Sequence, residues 1–104
     1  MFEAIQEVSG YSREMLMGKS REHMLCFSRY CLWHRLRNSG WSYSQIGWRF
    51  NRDHATVING IRQVENAVGN ASYRAERELM EEFQQNIDNR YRADAGTRTL
   101  YPQG

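Results

Sequence analysis

The tightest constraint in this chain lies between Ser42 and Val68, where two short helical segments meet across Asn51-Arg52-Asp53. The first, Tyr43 to Phe50, carries Ile46 and Phe50 one turn apart, and Ser42 stands where a helix takes its N-cap. The second runs to about Val68, with Asp53 placed to cap it. A break this short leaves no room for a long crossing loop, so the pair has the outline of a helix-turn-helix.

The rest of the chain follows the same period. It has no alternating run of β-branched residues and no two-residue hairpin signal, which predicts an all-α fold. A first helix is expected over about Phe2 to Ser9, with Ile5 and Val8 inward and Gly10 as its stop; Ser12 then caps a short helix bearing Met15 and Leu16. Gly18-Lys19-Ser20-Arg21 reads as a loop. From about Glu22 to Asn38, Leu25, Leu32 and Leu36 recur at helical spacing, with Met24, Phe27 and Cys31 widening the stripe, so this is the expected central helix. After a stop at Gly69-Asn70, a charged helix from about Ala71 to Tyr91 sets Leu79, Phe83, Ile87 and Tyr91 in an i, i+4 series, and residues after Ala93 read as a loose tail. Trp33, Trp41 and Trp48 are expected to pack in the core or at its edge. At 104 residues the whole makes one domain: residues 1–69 form the helix-turn-helix module, and residues 70–104 form the extra helix and tail.

Several function classes are excluded by what the residues lack. No apolar stretch approaches the ~20 residues of a bilayer span, and the start carries Glu3 and Glu7 where a secretory signal has positive charge, so no membrane association and a cytoplasmic location are expected. Cys26 and Cys31 are five apart on one helix, with side chains on different sides, which suits two reduced core thiols rather than a disulfide. Together with His23, His34 and His54 they form no recognisable ligand pattern, so neither metal nor cofactor is expected. No nucleophile elbow or paired-carboxylate site stands out, and no enzymatic activity is expected.

The net charge of +2 hides an uneven distribution. Between Met15 and Gln63 eight basic residues face two acids, Glu22 and Asp53, whereas from Asn70 onward charges balance. All the basic residues but Lys19 are Arg, which suits planar, bidentate recognition of phosphate or guanine, although an Arg-rich solvated surface gives the same count. At 100° per residue, Val57, Ile61, Val64 and Val68 share one face of the second helix and are expected in the core. Ala55, Thr56, Asn59, Arg62 and Gln63 project from the other side, and Asp53 and His54 lie at the amino end, where a recognition helix enters the major groove. Asn and Gln can read adenine, Thr can meet a thymine methyl, and Asp can accept from cytosine. Spacing leaves Asp53 open between an N-cap and a base contact, and His54 between a reader and a plain surface residue.

Residues 51–58, Asn-Arg-Asp-His-Ala-Thr-Val-Ile, resemble the signature Arg-Asp-His-Thr-Thr-Val of the carboxy-terminal DNA-binding domain of the bacterial replication initiator DnaA. Upstream, Gly10 through Arg21 resembles that family's Gly-Val-Ser-x-x-x-Leu-x-x-Lys-Ser-Arg, and residues 42–47, Ser-Tyr-Ser-Gln-Ile-Gly, resemble its Ser-Leu-x-Glu-Ile-Gly. The likeness spans about Ile5 to Val68. It implies a Trp-repressor-like helix-turn-helix that binds double-stranded DNA at DnaA-box-type sites, with Arg21 in the minor groove and Asp53, His54 and Thr56 reading the major groove beside Ala55. It further implies phosphate contacts at Arg29, Arg37, Ser44 and Asn59; Lys19, Arg52, Arg62 and Gln63 join the expected phosphate-binding set.

Two departures bear on specificity. Ala55 replaces a family Thr and offers only a methyl group, and the turn is one residue shorter than the family's Phe-Gly-Gly-Arg-Asp. No Gly-x-x-x-x-Gly-Lys-Ser/Thr loop occurs, so the expected role is sequence-specific DNA binding that regulates replication initiation or transcription without an ATPase. The alternative is a protein-interaction or mobile-element regulatory module with little DNA affinity, whose Leu79, Phe83, Ile87 stripe docks a protein partner or a second copy.

Overall fold

The computed structural model describes residues 2–90 with their side chains and residues 91–100 as helical backbone; Met1 and residues 101–104 lie outside the description. Six helices follow one another: α1 (Phe2–Ser9), α2 (Arg13–Met17), α3 (His23–Asn38), α4 (Tyr43–Phe50), α5 (His54–Val68) and α6 (Arg74–Leu100). No strand occurs among the described residues.

Local chemistry sets these boundaries. Ser12 Oγ accepts from Met15 N at 3.2 Å, and Asp53 Oδ1 accepts from Thr56 N at 2.8 Å. At α4 the capping is reciprocal: Ser42 Oγ accepts from Gln45 N at 3.0 Å while Gln45 Oε1 accepts from Ser42 N at 2.8 Å. Glu22 is a cap rather than the first residue of α3, because its carboxylate accepts from Met24 N and Leu25 N. The α4–α5 turn works without the family's glycine pair because Asn51 adopts the left-handed conformation, φ 55 and ψ 50. Gly47 allows the turn to fold back: a Cβ there would stand 2.5 Å from the Arg52 carbonyl oxygen.

Helix α3 is the hub, packing against each of the other five. Its Leu25, Leu32 and Trp33 join Ile5, Leu16, Ile46, Phe50, Val57 and Val64 in the core, where the Trp33 and Phe50 rings meet edge-on at 5.8 Å. The α3–α5 approach depends on Gly60, over which Tyr30 and Trp33 lie.

Four expectations need correction. Val68 is 57% exposed, and Ala67 takes the buried place instead. By angle Val68 lies between the buried Ile61 and Val64, and its exposure goes with its place as the helix's last residue. Trp48 is 86% exposed rather than packed, because α4 turns Ile46, Gly47 and Phe50 inward and leaves position 48 on the opposite side. Helix α6 begins at Arg74, since Asn70 first organises a turn, its side chain accepting from Ser72 N and its carbonyl from Tyr73 N. Its helical bounds reach past Ala93, where the sequence places a loose tail, but the side chains there lie outside the described residues.

Leu79, Phe83 and Ile87 are all buried, so the apolar stripe of α6 is covered by the protein's own core rather than free to dock a partner. Tyr91, the last member of that series, lies outside the described side chains. At its described end α6 is tied to α1, with Arg90 Nη2 donating to Glu7 Oε1 at 2.6 Å and Asn86 Nδ2 to Glu7 Oε2 at 2.7 Å.

Gly60→Ala is expected to lower stability by about 1–3 kcal/mol despite alanine's better helix propensity. The new Cβ would stand 2.6 Å from Tyr30 Cδ1 and 2.9 Å from two Trp33 ring atoms, and the Trp33 ring is locked in the core. Urea denaturation followed by helical circular dichroism measures the change.

Candidate nucleic-acid interface

The amino end of α5 is open to solvent. Asp53, His54, Ala55 and Thr56 are all exposed. Thr56, Asn59 and Gln63 follow at i, i+3 and i+7 along one face, with Arg62 beside them, and these too are exposed. The opposite face holds Val57, Gly60, Ile61 and Val64 in the core, so the polar set is presented on a rigid backing. Asp53 does serve as N-cap; its hydrogen bonds from the Thr56 backbone, then from the Thr56 side chain, hold its carboxyl below the usual carboxylate range. Capping engages Oδ1 with the Thr56 amide, and the residue as a whole stays in solvent.

Arg21 lies on the short segment between α2 and α3, exposed to solvent. That segment is held at both ends. At its far end Tyr11 Oη donates to Glu22 Oε2 at 2.5 Å, and this bond, ahead of the backbone amides, keeps the Glu22 carboxyl below its ordinary value. At its near end Lys19 Nζ donates to the Asn51 carbonyl at 3.2 Å, which brings the segment against the α4–α5 turn. Arg21 and Gln63 line one surface depression with His23, Cys26, Phe27 and Tyr30, so the loop and the later turns of α5 open onto the same side of the molecule.

The expected phosphate-binding residues divide. Lys19, Arg37, Ser44, Asn59, Arg62 and Gln63 are exposed, although Arg37 also donates to the Trp41 carbonyl at 3.1 Å and lies over the Tyr43 ring. Arg29 is a correction: it is 4% exposed, and its guanidinium is spent inside the protein. Nε donates to the Leu16 carbonyl at 2.6 Å, Nη2 to the Met15 carbonyl at 3.2 Å and Nη1 to Cys26 Sγ at 3.7 Å. At the end of the five-residue α2 the Met15 carbonyl also accepts from Gly18 N at 3.2 Å, and Arg29 adds a donor to it and to the Leu16 carbonyl. Arg52 is half-buried, with its guanidinium turned onto the chain's own carbonyls, those of Phe50 at 2.7 Å and of Gly18. Burial, and then the nearby Arg29 charge, push its pKa down.

Three features of this face escape a reading of the sequence. Glu22 and Tyr11 shape the Arg21 loop, a contact between helices that no periodicity reports. Trp48 and Arg49 stand exposed on α4 beside Ser44, Gln45 and Trp41, and only the structure shows which turn of α4 faces solvent. The thiols differ in setting: Cys31 is buried, which raises its pKa to about 12, whereas Cys26 is half-buried and donates to the Ser20 carbonyl at 3.4 Å. Among the described residues no group of three or more His, Cys, Asp and Glu side chains stands close enough to hold a metal ion, and no helix is long and apolar enough to cross a membrane.

A protein-family model described as bacterial DnaA protein helix-turn-helix matches residues 1–64. The matched span takes in α1 to α4 and most of α5, including the Arg21 loop and the exposed amino end of α5, and it stops before α6.

The Asp53 cap gives a pH test. Its folded pKa is lowered, so its contribution to stability is present above the ordinary value of 3.8 and is lost as pH falls through the lower folded value. Asp53→Ala is expected to lower the urea midpoint at neutral pH, whereas Asp53→Asn, which can still cap, keeps it close to wild type and removes that residue's share of the acid-side loss. Urea midpoints measured from pH 7 down to about pH 2, below the ordinary Asp value, compare the three chains.

Proposed function

The chain belongs to the bacterial DnaA helix-turn-helix family, whose members bind double-stranded DNA at DnaA boxes, and from that premise we propose that it reads DnaA-box-like sites sequence-specifically and thereby regulates replication initiation or transcription. The observation that carries this reading is the uncovered amino end of α5, where Asp53, His54, Ala55 and Thr56 all face solvent on a helix backed by the core.

In this reading α5 enters the major groove by its first turn. His54 offers ring nitrogens to base edges, Thr56 a hydroxyl and a methyl, and Ala55 a methyl group where a longer side chain would shift the preferred base. Arg21 takes the minor groove alongside. Lys19, Arg37, Ser44, Asn59, Arg62 and Gln63 form the supply of phosphate contacts, which fix register without reading sequence. The sequence carries no Gly-x-x-x-x-Gly-Lys-Ser/Thr loop, and the reading gives this chain no nucleotide-driven step.

Docking of a protein through α6 is the weaker reading, because the residues it would use are in the core.

Arg21→Ala is expected to weaken binding to the preferred duplex by about 1–3 kcal/mol and to reduce discrimination against a scrambled one. Unchanged discrimination overturns the role of Arg21. For His54→Ala, selection from a random duplex pool should relax preference at one or two positions. An unaltered site counts against base reading by His54. Affinity for wild-type protein should fall with salt at a log-log slope of about −0.9 per phosphate engaged.

A further inference from the structure

We propose that Arg52 is a positioning residue that clasps the minor-groove loop to the turn preceding the recognition helix, so that the reading by Arg21 depends on Arg52 without Arg52 touching DNA. The inference rests on the proposed role of Arg21.

One guanidinium bridges two segments that are far apart in sequence. Arg52 Nη2 donates to the Gly18 carbonyl, the C-cap of α2, while Nη1 donates to the Phe50 carbonyl at 2.7 Å. A second bond crosses the same gap, from Lys19 Nζ to the Asn51 carbonyl at 3.2 Å. Behind them Arg29 donates to the Met15 and Leu16 carbonyls, which ties α2 to α3. The other end of the loop is closed by Glu22, which takes the Tyr11 hydroxyl and caps α3. Arg21 therefore sits on a loop whose near end is referenced to the first residues of α5, where the major-groove readers begin.

Such referencing matters because the two grooves are read by different segments. A flexible loop gives up conformational entropy when Arg21 is placed; a loop already held gives up less, and the difference appears as affinity. Arginine suits the task better than lysine, since its planar fork can meet two carbonyls at once. The carbonyl of Gly18, which is only half-buried, can turn to water when the clasp is removed, so loss of the clasp loosens the loop without unfolding the core.

A double-mutant cycle tests this on the preferred duplex from the random selection, using the full chain, Arg21→Ala, Arg52→Met and the double variant, with folding checked by circular dichroism. In the wild-type background Arg21→Ala is expected to cost roughly tenfold or more in affinity. In the Arg52→Met background the same change should cost under about threefold, and preference at the base pairs read by His54 should persist. On a non-specific duplex the salt slope should be the same for wild type and Arg52→Met. A slope reduced by about 0.9 would instead make Arg52 a phosphate contact and overturn the proposal. An Arg21→Ala penalty equal in both backgrounds overturns the clasp and leaves the reading by Arg21 intact; no penalty in wild type overturns both. Arg52→Lys, which keeps the charge and can reach one carbonyl, is the second variant should Arg52→Met not fold, with a penalty expected between the two and equality with wild type again contradicting the clasp.

Discussion

A helix of five residues leaves carbonyls at its end for other donors, and the way α2 meets that need organises the face proposed to bind DNA. Arg29, reaching across from α3, puts three of its donors onto the end of α2 and onto Cys26. A cation this deeply buried is stable only because its hydrogen bonds replace those it had in water. Those bonds fix where α2 ends, and so where the loop carrying Arg21 begins. Arg52 and Lys19 extend the arrangement to the α4–α5 turn, so a chain of carbonyl contacts runs from α2 to the base of α5.

The basic residues of the central segment thus have two tasks. Arg29 and Arg52 hold backbone, the exposed Lys19 and Arg37 also reach carbonyls, and Arg21, Arg49 and Arg62 face solvent, where the proposed function has basic residues meet a polyanion. Charge counted along a sequence does not separate the two, because an Arg donates as readily to a carbonyl oxygen as to a phosphate oxygen. The preference for arginine over lysine in this segment fits both: a fork can take two carbonyls in the interior or two phosphate oxygens outside.

Most of the fold is legible in the sequence, because its boundaries rest on local chemistry. Ser12, Ser42 and Asp53 cap the helices they were expected to cap, and Ile46 with Phe50, and Val57 with Ile61 and Val64, face inward as their spacing predicts. The family signature falls on the start of α5, and its Asp-His-Ala-Thr run is exposed. Part of what the sequence does not reveal depends on contacts between distant segments. Burial of Arg29 goes with the Leu16 and Met15 carbonyls, thirteen and fourteen residues earlier in the chain. The other misses are local: Trp48 stands opposite Ile46 and Phe50 on α4, Val68 is the last residue of α5, and the late start of α6 follows from a turn that Asn70 builds with its side chain. The fate of the Leu79, Phe83, Ile87 stripe was equally hidden, since an amphipathic helix has the same pattern whether it packs on its own domain or on another.

The most direct measurement is a titration of isotope-labelled protein with a duplex containing a DnaA box, followed by amide chemical shifts. The account predicts changes concentrated at residues 20–22 and 53–56 and along the Asn59 and Gln63 face of α5, with the outer face of α6 unaffected. Changes centred on α6 and α1, or none at all at low ionic strength, would contradict it.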